Sequence, residues 1–366
     1  MSSRNSGLDE MLAKLRFTEG YTLIRAGAPE EKDLIGLDSN ENYFADADLF
    51  QGMVERAARC DFRVYPREEI IELREMLGAW LKVDPECIVL ANGEDQLIDL
   101  VATVLLKEGF AITVSPTYSM YKLRVELFGG KIVQVPLRKD FSLDIPRIVS
   151  VADESHAGVM FLCSPNNPTG NQFPETDIRE VLDRYPGLAI VDEAYADFTG
   201  RSLVSLTRAY PNLTVTRTFS KAFGIAGARL GYMIANAELS KALTKKVQLP
   251  YPISRFTARL GIECLRNVEA MRDSVSKMKE ERSWLTERLG RLEGLGVFDS
   301  ETNFVLISTG RDSSKICAKL RLLGVSVKDL GDVLDYRGCL RATVGTRPMN
   351  EKLLNALEEV LSDGQL

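Results

Sequence analysis

Seven runs of strand length, most of them apolar from end to end, set the strongest limit on what this chain can fold into. They are Ile88 to Ala91, Ala111 to Ser115, Ile132 to Leu137, Val159 to Cys163, Leu188 to Val191, Leu213 to Thr218 and Leu230 to Ile234. A strand with one face in water alternates apolar and polar residues, whereas a strand covered on both faces does not. Helical patterns lie between the runs, as at Gln96 to Leu106 and Glu175 to Tyr185. The alternation predicts an α/β fold, with a seven-stranded, mostly parallel sheet sandwiched by helices. In such sheets ligands gather at the carboxyl ends of the strands, so the residues just after each run are where chemistry is expected.

The pattern changes after Met233. A long charged helical stretch from Arg255 to Leu289 leads into short strands at Thr302 to Ile307, Val325 to Lys328 and Cys339 to Val344, with helices at Ser314 to Leu323 and Glu351 to Leu361. That mixture predicts a smaller α+β C-terminal domain. Two prolines in Leu249-Pro-Tyr-Pro-Ile-Ser254 mark a joint. The expected division is an N-terminal arm over 1–36, a large domain over 37–250 and a small domain over 251–366. The arm holds one short amphipathic pattern, Leu8 to Leu15, and then a loop.

Composition narrows the chemistry. The 366 residues contain a single histidine, so a His-ligated zinc site or a Ser-His-Asp triad would have to rest on His156 alone. His156 stands in a polar run, Asp153-Glu-Ser-His-Ala157, without the orienting partner that catalysis requires, and is read as structural. Acid–base work is therefore expected from Lys, Tyr, a carboxylate or a borrowed cofactor, and no metal is expected. With 46 Lys and Arg against 52 Asp and Glu, the formal net charge is -6, which argues against a nucleic-acid partner. No run of about 18 apolar residues appears, so no membrane span is expected. Met1 to Gly20 lacks the apolar centre of a secretory signal. Six scattered cysteines without a Cys-x-x-Cys pair fit structural thiols in a reducing cytoplasm.

Four strand ends carry polar clusters. After Ile88 to Ala91 comes Asn92-Gly93-Glu94-Asp95 at the start of a helix, either a phosphate site built from free N–H groups or a plain capped turn. After Val159 to Cys163 comes Ser164-Pro-Asn-Asn-Pro-Thr-Gly170, whose prolines and glycine hold the Asn167 amide in place. After Leu188 to Val191 comes Asp192-Glu-Ala-Tyr195. A carboxylate at the end of a buried strand is costly unless it meets a cation, so Asp192 either has a positively charged partner or caps a turn. The fourth cluster runs from Thr218 to Tyr232. There Lys221 sits among Phe219, Ala222 and Phe223, apolar surroundings that lower a lysine pKa and make its amine nucleophilic toward carbonyls. Thr218, Ser220 and Arg229 add hydroxyls and a guanidinium suited to phosphate. A lysine for an aldehyde, an acid for a pyridinium and donors for a phosphate together describe pyridoxal 5′-phosphate.

These clusters stand in one order with further motifs: Asn40-Glu-Asn42, Tyr65-Pro66, Asn92-Gly-Glu-Asp95, Pro116-Thr-Tyr118, Pro165-Asn-Asn-Pro-Thr-Gly170, Asp192-Glu-Ala-Tyr195, Ser220-Lys221 with Arg229 eight positions on, and Leu340-Arg-Ala-Thr-Val-Gly345. Across almost its whole length the chain thereby resembles the fold-type I, class I/II aminotransferases, and within them the histidinol-phosphate aminotransferases.

The resemblance implies a role for each matching position. Lys221 would attach the cofactor and shuttle a proton between Cα and C4′. Asp192 would pair with the pyridinium nitrogen. Tyr195 and Asn167 would hydrogen-bond the 3′ oxygen, and Tyr118 would stack on the ring. Gly93, Glu94 and Asp95, mainly through backbone N–H groups, would hold the phosphate with Thr218, Ser220 and Arg229, and Tyr65 would reach it from the partner subunit of a homodimer. Arg341 would bind the anionic end of the substrate, with Lys328, Tyr21 and Asn42 as further substrate-side residues. The implied reaction is a ping-pong transfer, in the cytoplasm, between L-histidinol phosphate and 2-oxoglutarate in histidine biosynthesis. The alternatives are an aminotransferase for aromatic or other L-amino acids and a lyase like the threonine-phosphate decarboxylases.

Three positions depart from the family pattern. Glu94 stands where a small residue is usual, and its carboxylate is expected to turn away from the phosphate, since repulsion there would cost several kcal/mol. Tyr43 replaces a common Pro. Lys328 stands where histidinol-phosphate enzymes carry a second phosphate-binding Arg, and a lysine offers a point charge without bidentate geometry.

Overall fold

The computed structural model describes residues 34–105 and 109–362. Its strands, in chain order, are β1 (Ile35–Leu37), β2 (Ile88–Asn92), β3 (Phe110–Ser115), β4 (Lys131–Pro136), β5 (Val159–Cys163), β6 (Leu188–Asp192), β7 (Leu213–Thr218), β8 (Leu230–Ile234), β9 (Gly296–Val297), β10 (Phe304–Ser308), β11 (Val325–Val333) and β12 (Tyr336–Thr343). The seven apolar runs are β2 to β8, and they form one sheet in the order β2-β8-β7-β6-β5-β3-β4.

β4, β3, β5, β6 and β7 are parallel, while β8 runs antiparallel to both β7 and β2. All five residues of β5, and all five of β8, are buried. Both faces of the sheet are covered, and the period of two divides each strand between them. In β2, Ile88 and Leu90 join the larger apolar core, and Val89 and Ala91 join a second one with Leu97 and Val101 of the helix Asp95–Leu105.

A smaller sheet has the order β1-β11-β12-β10-β9. β1 pairs in parallel with β11 through Ile35 and Val325, so the segment entering the large sheet is stitched to the C-terminal one. Helices Ser313–Leu322 and Arg347–Ser362 contribute Ile316, Leu320, Leu353 and Leu357 to the core beneath it. The arm's Leu8 to Leu15 pattern and Tyr21 lie outside the described residues.

Two details differ from the sequence reading. The stretch expected to be helical from Arg255 to Leu289 is two helices, Arg255–Arg266 and Val268–Leu289, because Asn267 leaves helical dihedrals and its side-chain amide donates to the Glu263 carbonyl at 2.8 Å. β11 runs on to Val333, through polar residues and two irregularities of register that hide its period. His156 closes the helix Ile145–Ser155 in a left-handed conformation, φ 51°, with its N–H on the Ala152 and Asp153 carbonyls. It is a helix cap. Among the described residues no helix is long and apolar enough to cross a membrane.

Gly231 of β8 fixes the approach between strand and site. A Cβ there would lie 2.5 Å from the backbone nitrogen of Glu94, in the turn after β2. Gly231→Ala should destabilise the fold by about 1–3 kcal/mol, since backbone cannot yield as a flexible side chain does. A urea midpoint equal to that of the wild type would show that the turn is looser than this packing implies.

Candidate active site

The carboxyl ends of β5, β6 and β7 open into a cavity of about 660 Å³, roofed by β11 and β12 of the smaller sheet. Twelve of the residues singled out in the sequence line it: Glu94, Asp95, Tyr118, Asn167, Asp192, Tyr195, Thr218, Ser220, Lys221, Arg229, Lys328 and Arg341. Gly93 lies in the turn that carries Glu94 and Asp95. Two others stand elsewhere. Asn42 donates to the Ala222 carbonyl at 2.8 Å and to Ser274 Oγ at 2.7 Å, and it is Asn40 that lines the cavity. Tyr65 is 66% exposed and stacked on Tyr251 at 4.5 Å.

Lys221 follows β7, where Phe219 and Phe223 stack at 4.5 Å and bury the backbone around it. Its Nζ donates to the Ser39 carbonyl at 2.9 Å and more weakly to that of Asn40, and lies 5.8 Å over the Tyr195 ring. Burial, then the Arg341 guanidinium, lower its pKa from the ordinary 10.5 to about 8. About a tenth is thus a free amine at pH 7, able to attack a carbonyl carbon, against well under a thousandth for an ordinary lysine.

Asp192 ends β6 and is buried. Its Oδ1 accepts from the Ala194 N–H at 2.9 Å, and its Oδ2 from the Tyr121 hydroxyl. Both donors are neutral, and among the described residues no Lys or Arg pairs with it. The cationic partner anticipated from the sequence is therefore not a side chain, which fits a pyridinium nitrogen facing Asp192 from the cavity. Tyr121 escaped the sequence reading because an aromatic within the helix Met120–Leu127 reads as core. The signal was its spacing of three from Tyr118, which places both rings on one side, 5.6 Å apart and edge to face.

Opposite lies a cradle for an anion. Gly93 has φ +78°, and a Cβ on it would stand 2.5 Å from Arg229 Nη2, so only glycine leaves room for that guanidinium. Arg229 pairs with Asp95 at 3.1 Å, and Asp95 also accepts from the Tyr118 hydroxyl at 2.8 Å. One carboxylate thereby fixes a guanidinium and an aromatic ring. Ser220 Oγ is buried without a hydrogen-bond partner. An orphaned hydroxyl beside an arginine and the start of the helix Asp95–Leu105 is what a phosphate would satisfy. The residues present thus fit the aldehyde, ring nitrogen and phosphate of pyridoxal 5′-phosphate together.

On the roof, Lys328 of β11 stands directly opposite Arg341 of β12, so both project from one face. Arg341 donates to Asn167 Oδ1 and to the Asp38 carbonyl, each at 2.6 Å. Lys328 makes no hydrogen bond or ion pair among the described residues. Asn40 orients the Tyr195 hydroxyl, which accepts from its amide at 2.9 Å. Arg347 is engaged elsewhere, with Glu281 at 2.8 Å and the Trp284 ring at 3.9 Å. Among the described residues no group of three or more His, Cys, Asp or Glu could hold a metal.

Comparison with known proteins agrees with this geometry. The family model for aminotransferases of class I and II matches residues 32–357. The histidinol-phosphate aminotransferase of Cytophaga hutchinsonii is 36% identical over 88% of this chain and 90% of its own. That of Thermococcus gammatolerans is 38% identical over 89% and 92%. The crystal structure of histidinol-phosphate aminotransferase from Sinorhizobium meliloti in complex with pyridoxal-5′-phosphate superposes with a TM-score of 0.81, at 26% identity, over 89% of this chain and 90% of that one.

The lowered pKa of Lys221 has a consequence for stability. Between about pH 8 and 10.5 the unfolded chain holds a proton on this lysine that the folded chain has lost, so its contribution to stability rises with pH across that window. Cofactor-free Lys221→Met should therefore be more stable than cofactor-free wild type below pH 8, and the gap should close toward pH 10.5. Urea denaturation of both proteins across that range checks it; a constant gap would mean that the lysine is not desolvated.

Proposed function

The chain belongs to the class I and II aminotransferases, a family dependent on pyridoxal 5′-phosphate, and from that membership we propose that it moves the amino group of L-histidinol phosphate to 2-oxoglutarate. The reaction follows a ping-pong order, in the cytoplasm, as a step of histidine biosynthesis. The bound cofactor supplies an electron sink for the pair of electrons left at the donor's Cα. Everything else falls to the chain. Lys221 Nζ would hold the cofactor's aldehyde end and, when free of it, would take the proton from the donor's Cα and hand it on. Asp192 would keep the ring nitrogen protonated. Asn167 and Tyr195 would hydrogen-bond the 3′ oxygen, and Tyr118 would cover the ring. Gly93, Glu94 and Asp95 offer backbone N–H groups to the phosphate, with Thr218, Ser220 and Arg229.

The observation that carries the choice of donor is the pair Lys328 and Arg341, opposite each other on one face of the roof. Arg341 alone suits a single α-carboxylate. A second cation with no partner among the described residues suits the dianionic phosphate of histidinol phosphate.

A panel of L-histidinol phosphate, aspartate and aromatic amino acids, each with 2-oxoglutarate, tests the proposal. The phosphorylated donor should be preferred, and Lys328→Met should raise its KM about 10- to 100-fold, the cost of one charged hydrogen bond, with little change in kcat. Preference for an unphosphorylated donor would overturn the substrate, and carbon dioxide release without oxo-acid consumption would overturn the reaction.

The second subunit enters through an exposed apolar surface. Phe62, Val64, Tyr65 and Leu249 are 67%, 50%, 66% and 79% exposed, and such residues in one region favour an interface. In a homodimer assembled on it, Tyr65 serves the partner's phosphate cradle. Sedimentation at micromolar concentration should give a dimer; a monomer with full activity would refute the shared site.

A further inference from the structure

Glu94 brings to the cavity wall an acid to which the proposed chemistry gives no task beyond its backbone. Its main chain is held against β8, where a Cβ on Gly231 would lie 2.5 Å from its nitrogen and 2.9 Å from its Cα. Its side chain lies beside the Asp192 carboxyl, near the Thr216 hydroxyl. Its Oε1 is buried and has no hydrogen-bond partner.

Two carboxyl groups in contact inside a protein do not both ionise, so one proton is shared between them. The surrounding donors decide where it rests. Asp192 accepts from Tyr121 and from the Ala194 N–H, both aimed at its oxygens, and these favour its anion. The Glu94 carboxyl has no such aimed donor among the described residues, and its Oε1 is buried without a partner, an arrangement that penalises its charge. Burial first, and then the charge of Asp192, push the Glu94 carboxyl well above the ordinary carboxylate range. Asp95 at the start of the helix Asp95–Leu105, Tyr121 on the helix Met120–Leu127, Cys163 at the end of β5 and Tyr232 on β8 face the same pair, and Lys221 supplies the cation across the cavity.

We propose that Glu94 is a positioning residue that, as a neutral carboxylic acid, donates a hydrogen bond to Asp192 and keeps that carboxylate the single anion facing the cofactor's ring nitrogen. This rests on the pyridoxal phosphate reading. A third donor on Asp192 lowers its proton affinity, so the proton between carboxylate and ring stays on the ring, where the electron sink needs it. Glutamine at this position retains a donor; alanine removes it.

Wild type, Glu94→Gln and Glu94→Ala are compared, with thermal unfolding to confirm that each is folded. In the cofactor-free proteins an infrared carbonyl band of a protonated carboxyl group should be present at neutral pH in the wild type and absent from both variants. In the loaded proteins Glu94→Gln should keep the wild-type affinity for pyridoxal 5′-phosphate and the wild-type pH midpoint of the cofactor's visible absorbance. Glu94→Ala should lose affinity about tenfold, as expected for one hydrogen bond to a charged group, and should shift the midpoint. Absence of the band from the wild type would overturn the proposal. So would Glu94→Gln falling with Glu94→Ala, which would make the charge of Glu94 the useful property, or Glu94→Ala matching the wild type. Failure of the wild type to bind the cofactor would instead refute the proposed function, while the infrared band still reported the state of Glu94.

Discussion

The buried charge of Asp192 is the constraint on which the site depends. It sits at the last residue of a strand covered on both faces, with neutral donors on both oxygens and no cation paired with it among the described residues. Such a charge is tolerated only if something in the cavity answers it. The same sheet edge shows how the chain behaves when it answers a charge itself. One residue on, Glu193 is buried beside Arg217, which also holds Asp197 at 2.6 Å. Neighbouring acids of one motif thus have opposite fates, because alternate residues of a strand end point to opposite faces: Asp192 to the cavity, Glu193 to an internal ion pair.

Most of the fold was legible because the property that identifies it, apolar residues on both faces of a strand, survives in the bare sequence. All seven strands of the large sheet could be read to within a residue or so. What escaped is polar or depends on distant contacts. β11 passes through Lys328, Asp329 and Asp332 with bulges that break its period. Asn267 interrupts a charged helical pattern without a proline or glycine to announce it. In the site, the strand-end clusters and the family resemblance together picked out twelve positions that line one cavity, yet they could not say which asparagine of Asn40-Glu-Asn42 faces inward. That is decided by the left-handed turn at Asn40, φ 55°, and by a hydrogen bond to Tyr195, 155 residues away. Nor could they reveal that Tyr121 braces Asp192, since the contact joins a helix to a strand end 71 residues on.

The residues proposed to hold the cofactor come from the large sheet and the cations proposed for the substrate from the small one, so the cavity keeps its lining only if the two are held in register. Arg341 does this directly, with one nitrogen on Asn167 of the large sheet and another on the Asp38 carbonyl beside β1. The pairing of β1 with β11 and the bond from the Asn303 amide to the Asn40 carbonyl at 3.0 Å tie the same segment to the roof. The carbonyls of that segment, Ser39 and Asn40, are also the acceptors of Lys221 Nζ. Arg341, the Asn167 amide it holds and the Lys221 amine therefore hang on one short stretch of backbone.

That arrangement gives Arg341 a second effect besides binding. Its charge helps to hold the Lys221 pKa down, second only to burial. An anionic donor bound at Arg341, as the proposed function has it, would offset that influence and make the released amine more basic. On the proposed function, Lys221 would be needed as a free amine to capture the cofactor's aldehyde, with loss of water, and as a base once the donor has released it. The rise in basicity coincides with the second task. In that proposal the cation that binds the substrate would also tune the base to the step at hand, with no histidine required.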